Sequence, residues 1–309
     1  MYQHGWFQIA FDRELTREVS PSSIGQLRLV LVRVGSEITA FDAICPHRGA
    51  DLGIGGRHDR GALVCPFHGF RIGLGQDSEH GFCVRRYRTL TIGGLVFVQL
   101  SDQHDNGFAD ALETLARDRF ILPGFSLNVR STADIVIENA FDQAHFRPVH
   151  AIGMQGEFSV RPTQNGELTV EGMFDLPISR WQRSQTATDG AYVPFQAKAF
   201  SPGVVISDLG GAHPYTVITA STPNGDGSCT IRLSLALPKD EQDRPPKPEL
   251  CEFLLRRSRE GLEKDRVVWE HRCESAPARY TSIDEPVKEF RMFCARFAEM
   301  QSYEQPEAH

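Results

Sequence analysis

The sequence predicts an α+β protein in two parts: an all-β N-terminal domain over residues 1–105, then a domain over 106–309 with an antiparallel β-sheet flanked by helices. Three observations carry this. Strand-like runs broken by glycine turns fill the chain up to about Leu100. A polar, breaker-rich stretch from Ser101 to Gly107 follows and reads as a linker. Beyond it, alternating runs give way to two long helical stretches.

In the first part, Leu27–Val34 is a strand that turns through Gly35-Ser36-Glu37 into Ile38–Phe41, and Leu95–Leu100 closes the domain after Gly93-Gly94. A short helix is expected over Ala109–Ala116. Ser126–Arg130 and Asp134–Ile137 alternate in strand fashion, and further strands are expected at Glu167–Phe174, Thr216–Ala220 and Thr230–Leu237. Helices are expected over Pro248–Cys273, after a proline-rich entry, and over Asp284–Met300, with Pro286 near its first turn.

Composition narrows the function. The chain has 309 residues, 40% hydrophobic and 24% charged, which suits an ordinary globular core. A formal net charge of −7 argues against nucleic acid as a partner, because phosphate binding needs a basic surface. The segment Met1 to Trp6 lacks the charged and apolar regions of a signal peptide, and no apolar run is long enough for a membrane span. Besides two cysteines in metal-ligand runs there are Cys83, Cys229, Cys251, Cys273 and Cys294, whose odd number and scattered spacing point to reduced thiols. A cytoplasmic protein is expected.

Two short runs carry the first metal chemistry: Cys45-Pro46-His47 and Cys65-Pro66-Phe67-His68. Two thiolates can hold one iron of a [2Fe–2S] cluster while two imidazoles hold the other, the Rieske arrangement. A zinc site accepts the same four ligands. Zinc fingers, however, usually bring a cysteine pair and then a histidine pair, so the repeated Cys-His order favours the cluster. Gly49 and Gly69 follow the ligand pairs, where glycine admits positive φ and close approach of amides to the cluster sulfurs.

Asn139, Asp142 and His145 recur every three residues, and on a helix they would share one face. Pro148 should distort or end that helix and let His150 meet His145. Two imidazoles plus a distant carboxylate make the facial triad of non-haem Fe(II) oxygenases. Histidines satisfied by hydrogen bonds at a helix end are the alternative. A cluster on the same chain favours iron, because a one-electron relay and a dioxygen-activating metal need each other.

These motifs together resemble the oxygenase (alpha) component of multicomponent Rieske non-haem iron oxygenases, nearly end to end, from Gly5-Trp6-Phe7 through both cluster runs to Glu138-Asn139-x-x-Asp142-x-x-His145-x4-His150. The stretch from Ala43 to Gly56 is most similar to the subgroup holding ketosteroid 9α-hydroxylases and cholesterol 7-desaturases. The resemblance implies a third iron ligand from the C-terminal helix, and Asp265 in Asp265-Arg266-Val267-Val268-Trp269-Glu270 fits. Glu263, Glu270 and Asp284 read as solvated charges, with Asp284 next in line should Asp265 not serve. It also implies that Asp142 bridges between subunits, from His68 of one protomer to His145 of the next, in a head-to-tail homotrimer, with Asn139 close behind the metal ligands.

Ala50, Phe67 and Phe70 stand where high-potential Rieske proteins carry extra cysteines and a serine, which should lower the potential toward roughly −150 mV. Gly73-x-Gly75 is followed by Ser78, so no dinucleotide fingerprint exists, and electrons are expected from a separate ferredoxin or flavin reductase. The implied reaction is oxidation of a small hydrophobic substrate by O2: monohydroxylation first, with desaturation or demethylation as alternatives. An electron carrier with a non-catalytic binding domain is the rival class. Phe174, Trp181, Phe195, Phe200 and Tyr215 are the expected pocket aromatics.

Overall fold

The structure is a computed structural model that describes residues 2, 4–75, 81–163, 165–177, 190–211, 214–240, 242–273 and 275–298. Ten strands form the first part: β1 (Trp6–Phe11), β2 (Val19–Ile24), β3 (Leu27–Val34), β4 (Glu37–Asp42), β5 (Arg57–Asp59), β6 (Ala62–Val64), β7 (Arg71–Leu74), β8 (Cys83–Val84), β9 (Arg86–Ile92) and β10 (Leu95–Gln99). Six of them make a sheet ordered β1-β10-β9-β4-β3-β2, and β5-β6-β7-β8 make a small second sheet that carries the cluster loops.

The second part opens with α1 (Phe108–Asp118), which runs straight into β11 (Arg119–Val129). Next come α2 (Ala133–Glu138), α3 (Phe146–His150), β12 (Gly153–Met154), β13 (Ser159–Pro162), β14 (Leu168–Pro177), β15 (Gly190–Ser201), β16 (Val204–Leu209), β17 (Tyr215–Pro223) and β18 (Cys229–Pro238). These strands form one antiparallel sheet, ordered β11-β18-β17-β16-β15-β14-β12 with β13 beside β14. The helices α4 (Pro248–Trp269) and α5 (Glu285–Arg296) complete the expected α+β architecture. The expected end of the last helix, Met300, and the aromatic Trp181 lie outside the described residues.

The expected linker is anchored. Asn106 is buried and donates its amide to the Phe200 carbonyl at 2.8 Å. Phe108, just after it, packs on Trp6 and Phe97 of the first sheet and on Phe200 of the second, with ring centroids 5.0–5.6 Å apart. Strand β1 is therefore a shared seam. Its outer carbonyls are met from the second sheet: Ser201 Oγ donates to Trp6 O at 2.6 Å and Thr222 Oγ1 to Gln8 O at 2.7 Å. A Cβ at Gly203 would stand 2.4 Å from the Phe7 ring, so only glycine allows this approach.

Three expectations near the second metal site need correction. Asp134–Ile137 is not a strand but the body of α2; Ala133, Val136 and Ile137 are its buried residues, the i, i+3, i+4 spacing of a helix face. Four alternating residues were too few to fix the period. Nor do Asn139, Asp142 and His145 share one helix. The segment from Asn139 to His145 is a series of turns between α2 and α3. Pro148 does not end a helix either. It sits within the first turn of α3, where the missing N–H has no intrahelical acceptor to lose.

Candidate metal centres

The two cluster loops fold alike. In each, the cysteine N–H donates five residues ahead (Cys45 to Ala50 O, 2.8 Å; Cys65 to Phe70 O, 2.9 Å). In each, a glycine N–H closes back onto the cysteine carbonyl (Gly49 to Cys45 O, 2.9 Å; Gly69 to Cys65 O, 3.0 Å). Gly49 and Gly69 both have φ +73°, a left-handed conformation that an L side chain resists. The scheme buries both sulfurs, each residue 2% exposed, and burial pushes the Cys45 thiol up, with the Cys65 sulfur beside it adding to the effect. The imidazoles lie outward: His68 is exposed, and its ring centroid stands 4.9 Å from that of His47. Desolvation, then His47 and Arg48, hold His68 below the usual imidazole pKa, which favours its neutral, ligating form.

The four donors do not gather to one point, as a tetrahedral zinc demands, among the described residues. Two buried thiols behind two outward imidazoles instead suit a [2Fe–2S] group whose irons take different ligands.

At the second centre the donor atoms of His145, His150 and Asp265 all lie within 4.8 Å of one another. His145 precedes α3 and His150 ends it, where Ala151 turns the chain away at φ +54°. Their rings meet edge to face at 5.1 Å. Asp265 comes from α4, on its buried stripe with Leu254, Leu262 and Trp269. A carboxylate there is costly unless paired or bound to a metal. It is only 7% exposed, and its Oδ1 stands 2.9 Å from His150 Nε2. Ligands at right angles on a first-row metal stand about 3 Å apart, given bonds of about 2.1 Å, so this spacing fits a shared ion.

His145 Nδ1 donates to the main-chain oxygen of Asp142 at 2.6 Å, which leaves Nε2 with its lone pair toward the site. Burial lowers the His145 pKa, again favouring the neutral ring. Asn139 reaches the same Nε2 at 3.1 Å through Nδ2. The Asp142 carboxylate accepts from Ala144 N at 2.9 Å and lies 3.9 Å from His145 Nδ1. Within one chain the main chain of Asp142, not its carboxylate, orients His145.

Asp284 is not part of this centre. Its carboxylate caps a 3-10 turn, accepting from Thr281 N and Oγ1 at 2.7 and 2.8 Å. Glu270 accepts from the Arg130 main chain and from Arg266, and Glu263 from Arg266. All three serve local structure.

An inner cavity of about 230 Å³ opens on the three donors. Phe174, Phe195 and Tyr215 line it as expected, whereas Phe200 belongs to the seam packed on Phe108. Phe146, beside His145, adds an aromatic that sequence reasoning missed; its ring lies 4.7 Å from Phe174. Burial pushes the Tyr215 phenol up to about 12.

Residues 100–297 match the family described as 3-ketosteroid 9alpha-hydroxylase C-terminal domain, and residues 5–88 match the Rieske [2Fe–2S] domain. The chain belongs to the Rieske non-haem iron oxygenases. This Rieske oxygenase is similar in fold to dicamba monooxygenase bound to 3,6-dichlorosalicylic acid, with TM-score 0.73 and 18% identity over 96% of this chain and 97% of that one. It is also similar to NdmB of Pseudomonas putida CBB5, with TM-score 0.69 and 19% identity over 93% of this chain and 88% of that one. A search of curated protein sequences finds no match. The cofactors of the Rieske oxygenase are a [2Fe–2S] cluster and a mononuclear iron. Among the described residues, no helix is long and apolar enough to cross a membrane.

Proposed function

We propose that this oxygenase hydroxylates a neutral, largely apolar ring molecule, in the cytoplasm, with electrons from a separate ferredoxin or flavin reductase. The observation that carries the reading is the convergence of His145, His150 and Asp265 on the inner cavity. Besides these three and Tyr215, no ionisable side chain lines that cavity among the described residues; Arg257, Glu260 and Lys264 line only the adjoining opening that shares His150, Phe174 and Tyr215, so the part of a substrate nearest the metal donors would be neutral. Two structurally similar proteins have been solved with ring compounds, NdmA of Pseudomonas putida CBB5 with caffeine and dicamba monooxygenase with dicamba, which supports a ring-shaped substrate. The match to the ketosteroid hydroxylase family supports a polycyclic one and favours hydroxylation over desaturation or demethylation.

Cys45, His47, Cys65 and His68 would hold the cluster, and His145, His150 and Asp265 the mononuclear iron. That iron, when bound, supplies dioxygen activation at positions the three ligands leave open. The chain's own residues do the rest. Asp142 O fixes the His145 tautomer through Nδ1–H, and Asp265 supplies the one anionic donor. Phe146, Phe174 and Phe195 exclude water and hold an apolar ring against the donors. Asn139, whose amide meets His145 Nε2, would yield that nitrogen to the iron and stand close behind it.

Two such chains would meet in a head-to-tail homotrimer, the cluster tip of one against the Asp142 side of the next. Asp142 lines a second cavity, of about 470 Å³, that also touches His145 and Asp265. A carboxylate there can accept from His68 of the neighbour while its main chain holds His145. The domain boundary proposed near residue 105 falls within the anchored segment.

The test is turnover of a panel of ring hydrocarbons and ketones under 18O2 with a surrogate ferredoxin and reductase. The reading expects one labelled oxygen in the product of at least one member. Consumption of electrons and O2 with no labelled product anywhere in the panel would contradict it.

A further inference from the structure

Besides Tyr215 and Ser258, the inner cavity has a pair of polar side chains that its metal chemistry does not use. Strands β16 and β17 alternate, and Val205, Ser207 and Leu209 of one and Tyr215, Val217 and Thr219 of the other face the cavity. In the register between them Ser207 opposes Val217 and Val205 opposes Thr219, so the Ser207 and Thr219 hydroxyls are diagonal neighbours on one face. Ser207 is 8% exposed. Neither hydroxyl has a hydrogen-bond partner among the described residues, yet both open on the space shared with His145, His150 and Asp265. Phe174 and Phe195 line the same space from β14 and β15.

A hydroxyl that faces a mostly apolar cavity with no protein acceptor or donor of its own is open to a hydrogen bond with a ligand oxygen. Ser221 and Ser234 of the second sheet are buried hydroxyls without partners, but they do not line the cavity. The position on the cavity floor is what distinguishes Ser207 and Thr219.

We propose that Ser207 and Thr219 form a polar rung that receives one oxygen, a ketone or hydroxyl, of the ring substrate, and so set its orientation above the metal donors. The substrate class is then a neutral cyclic ketone or alcohol with an otherwise apolar frame. Ser207 and Thr219 are specificity determinants of this kind, each offering an O–H to the ligand oxygen while the aromatic wall takes the ring. The proposal rests on the inner cavity being the substrate site, and its test is kept apart from turnover.

The test is equilibrium binding, by calorimetry on the fully metallated protein without reductase, to two matched pairs: 1-tetralone with tetralin, and a four-ring 3-ketosteroid with its 3-deoxy parent. The quantity read is the ratio of ketone to hydrocarbon affinity, because comparison with the variant cancels the hydration of the ketone. Ser207→Ala and Thr219→Val should each lower that ratio about three- to tenfold, the usual worth of one hydrogen bond, with hydrocarbon affinity little changed. Thr219→Ser should keep it, and Ser234→Ala should leave it alone. The proposal is overturned if wild-type protein binds no member of either pair, if the ratio survives both Ser207→Ala and Thr219→Val, or if Ser234→Ala lowers it equally. Ketone discrimination without labelled product from any ring compound would sink the proposed reaction and leave the polar rung standing.

Discussion

The two metal centres of this chain are built in opposite ways. The cluster site is local: two loops, each closing on itself through the same pair of main-chain hydrogen bonds, place a cysteine inward and a histidine outward. The proposed mononuclear site would be assembled at long range, from a turn-and-helix segment holding His145 and His150 and from Asp265 of α4. One presents its imidazoles to the surface, where a partner can exchange electrons. The other opens on a cavity walled by Phe146, Phe174 and Phe195. The difference separates electron entry from oxygen chemistry, and it predicts that the two centres fail independently.

The largest effect should come from the mononuclear ligands. His145→Ala, His150→Ala or Asp265→Ala should each remove about one iron per chain and abolish oxidation, while the cluster's optical and EPR signals persist. If Asp265→Ala keeps full iron and activity, the long-range assembly is wrong. The reciprocal variants, His47→Cys and His68→Cys, should erase the Rieske signals and leave the mononuclear iron in place, as metal analysis would record.

Communication between the centres comes next. Asp142→Asn should leave both metals bound, since Ala144 N and His145 keep acceptors on residue 142, but cluster-to-iron electron transfer should slow severely. Single-turnover rates read this directly. Co-expressed Asp142→Asn and His68→Cys chains should regain activity in mixed rings that neither parent shows; stable mixed rings with all metals present at the intact junctions and no activity would place the electron path inside one chain.

The likeness of the two loops can be sharpened with glycine. A Cβ at Gly49 or Gly69 meets no protein atom within 4 Å, so Gly49→Ala and Gly69→Ala should each show the left-handed backbone strain, about 1–2 kcal/mol. Near-equal losses by denaturant unfolding confirm the likeness; a large inequality breaks it.

The smallest effect concerns pH. Arg71 holds the Asp59 carboxyl below the usual carboxylate range and ties β5 to β7 under the cluster. A depressed acid stabilises the fold above its unfolded pKa, about 3.9, and loses that contribution as pH falls through the folded value. The Tm gap between wild type and Asp59→Asn should therefore be small near neutrality, begin to shrink as pH falls below about 4, and close only below the depressed folded value.

The same contrast decided how much could be read beforehand. The cluster loops were legible as paired motifs with their glycines, because ligand, turn and glycine lie within six residues of each other, whereas the main-chain hydrogen bonds that close each loop were not. The histidine pair was legible as a pair, but its surroundings were not: α2 mimicked a strand over four residues, and the turns from Asn139 to His145 mimicked a helix face. Asp265 came from resemblance to a family run. Its physical signal, an acid on an apolar helical stripe, is visible in the sequence once the register of α4 is known. Strands β15 and β16 went unnamed, and with them Ser207, because which hydroxyl faces a cavity depends on tertiary register alone. Phe200 was misplaced for the same reason.

The central claim, two independent centres on one chain, is tested most directly by iron and acid-labile sulfide analysis of anaerobically purified protein beside Asp265→Ala. The account predicts three irons and two sulfides per wild-type chain, and two of each in the variant. Two irons in both proteins would make the chain an electron carrier; zinc without sulfide would remove the cluster as well.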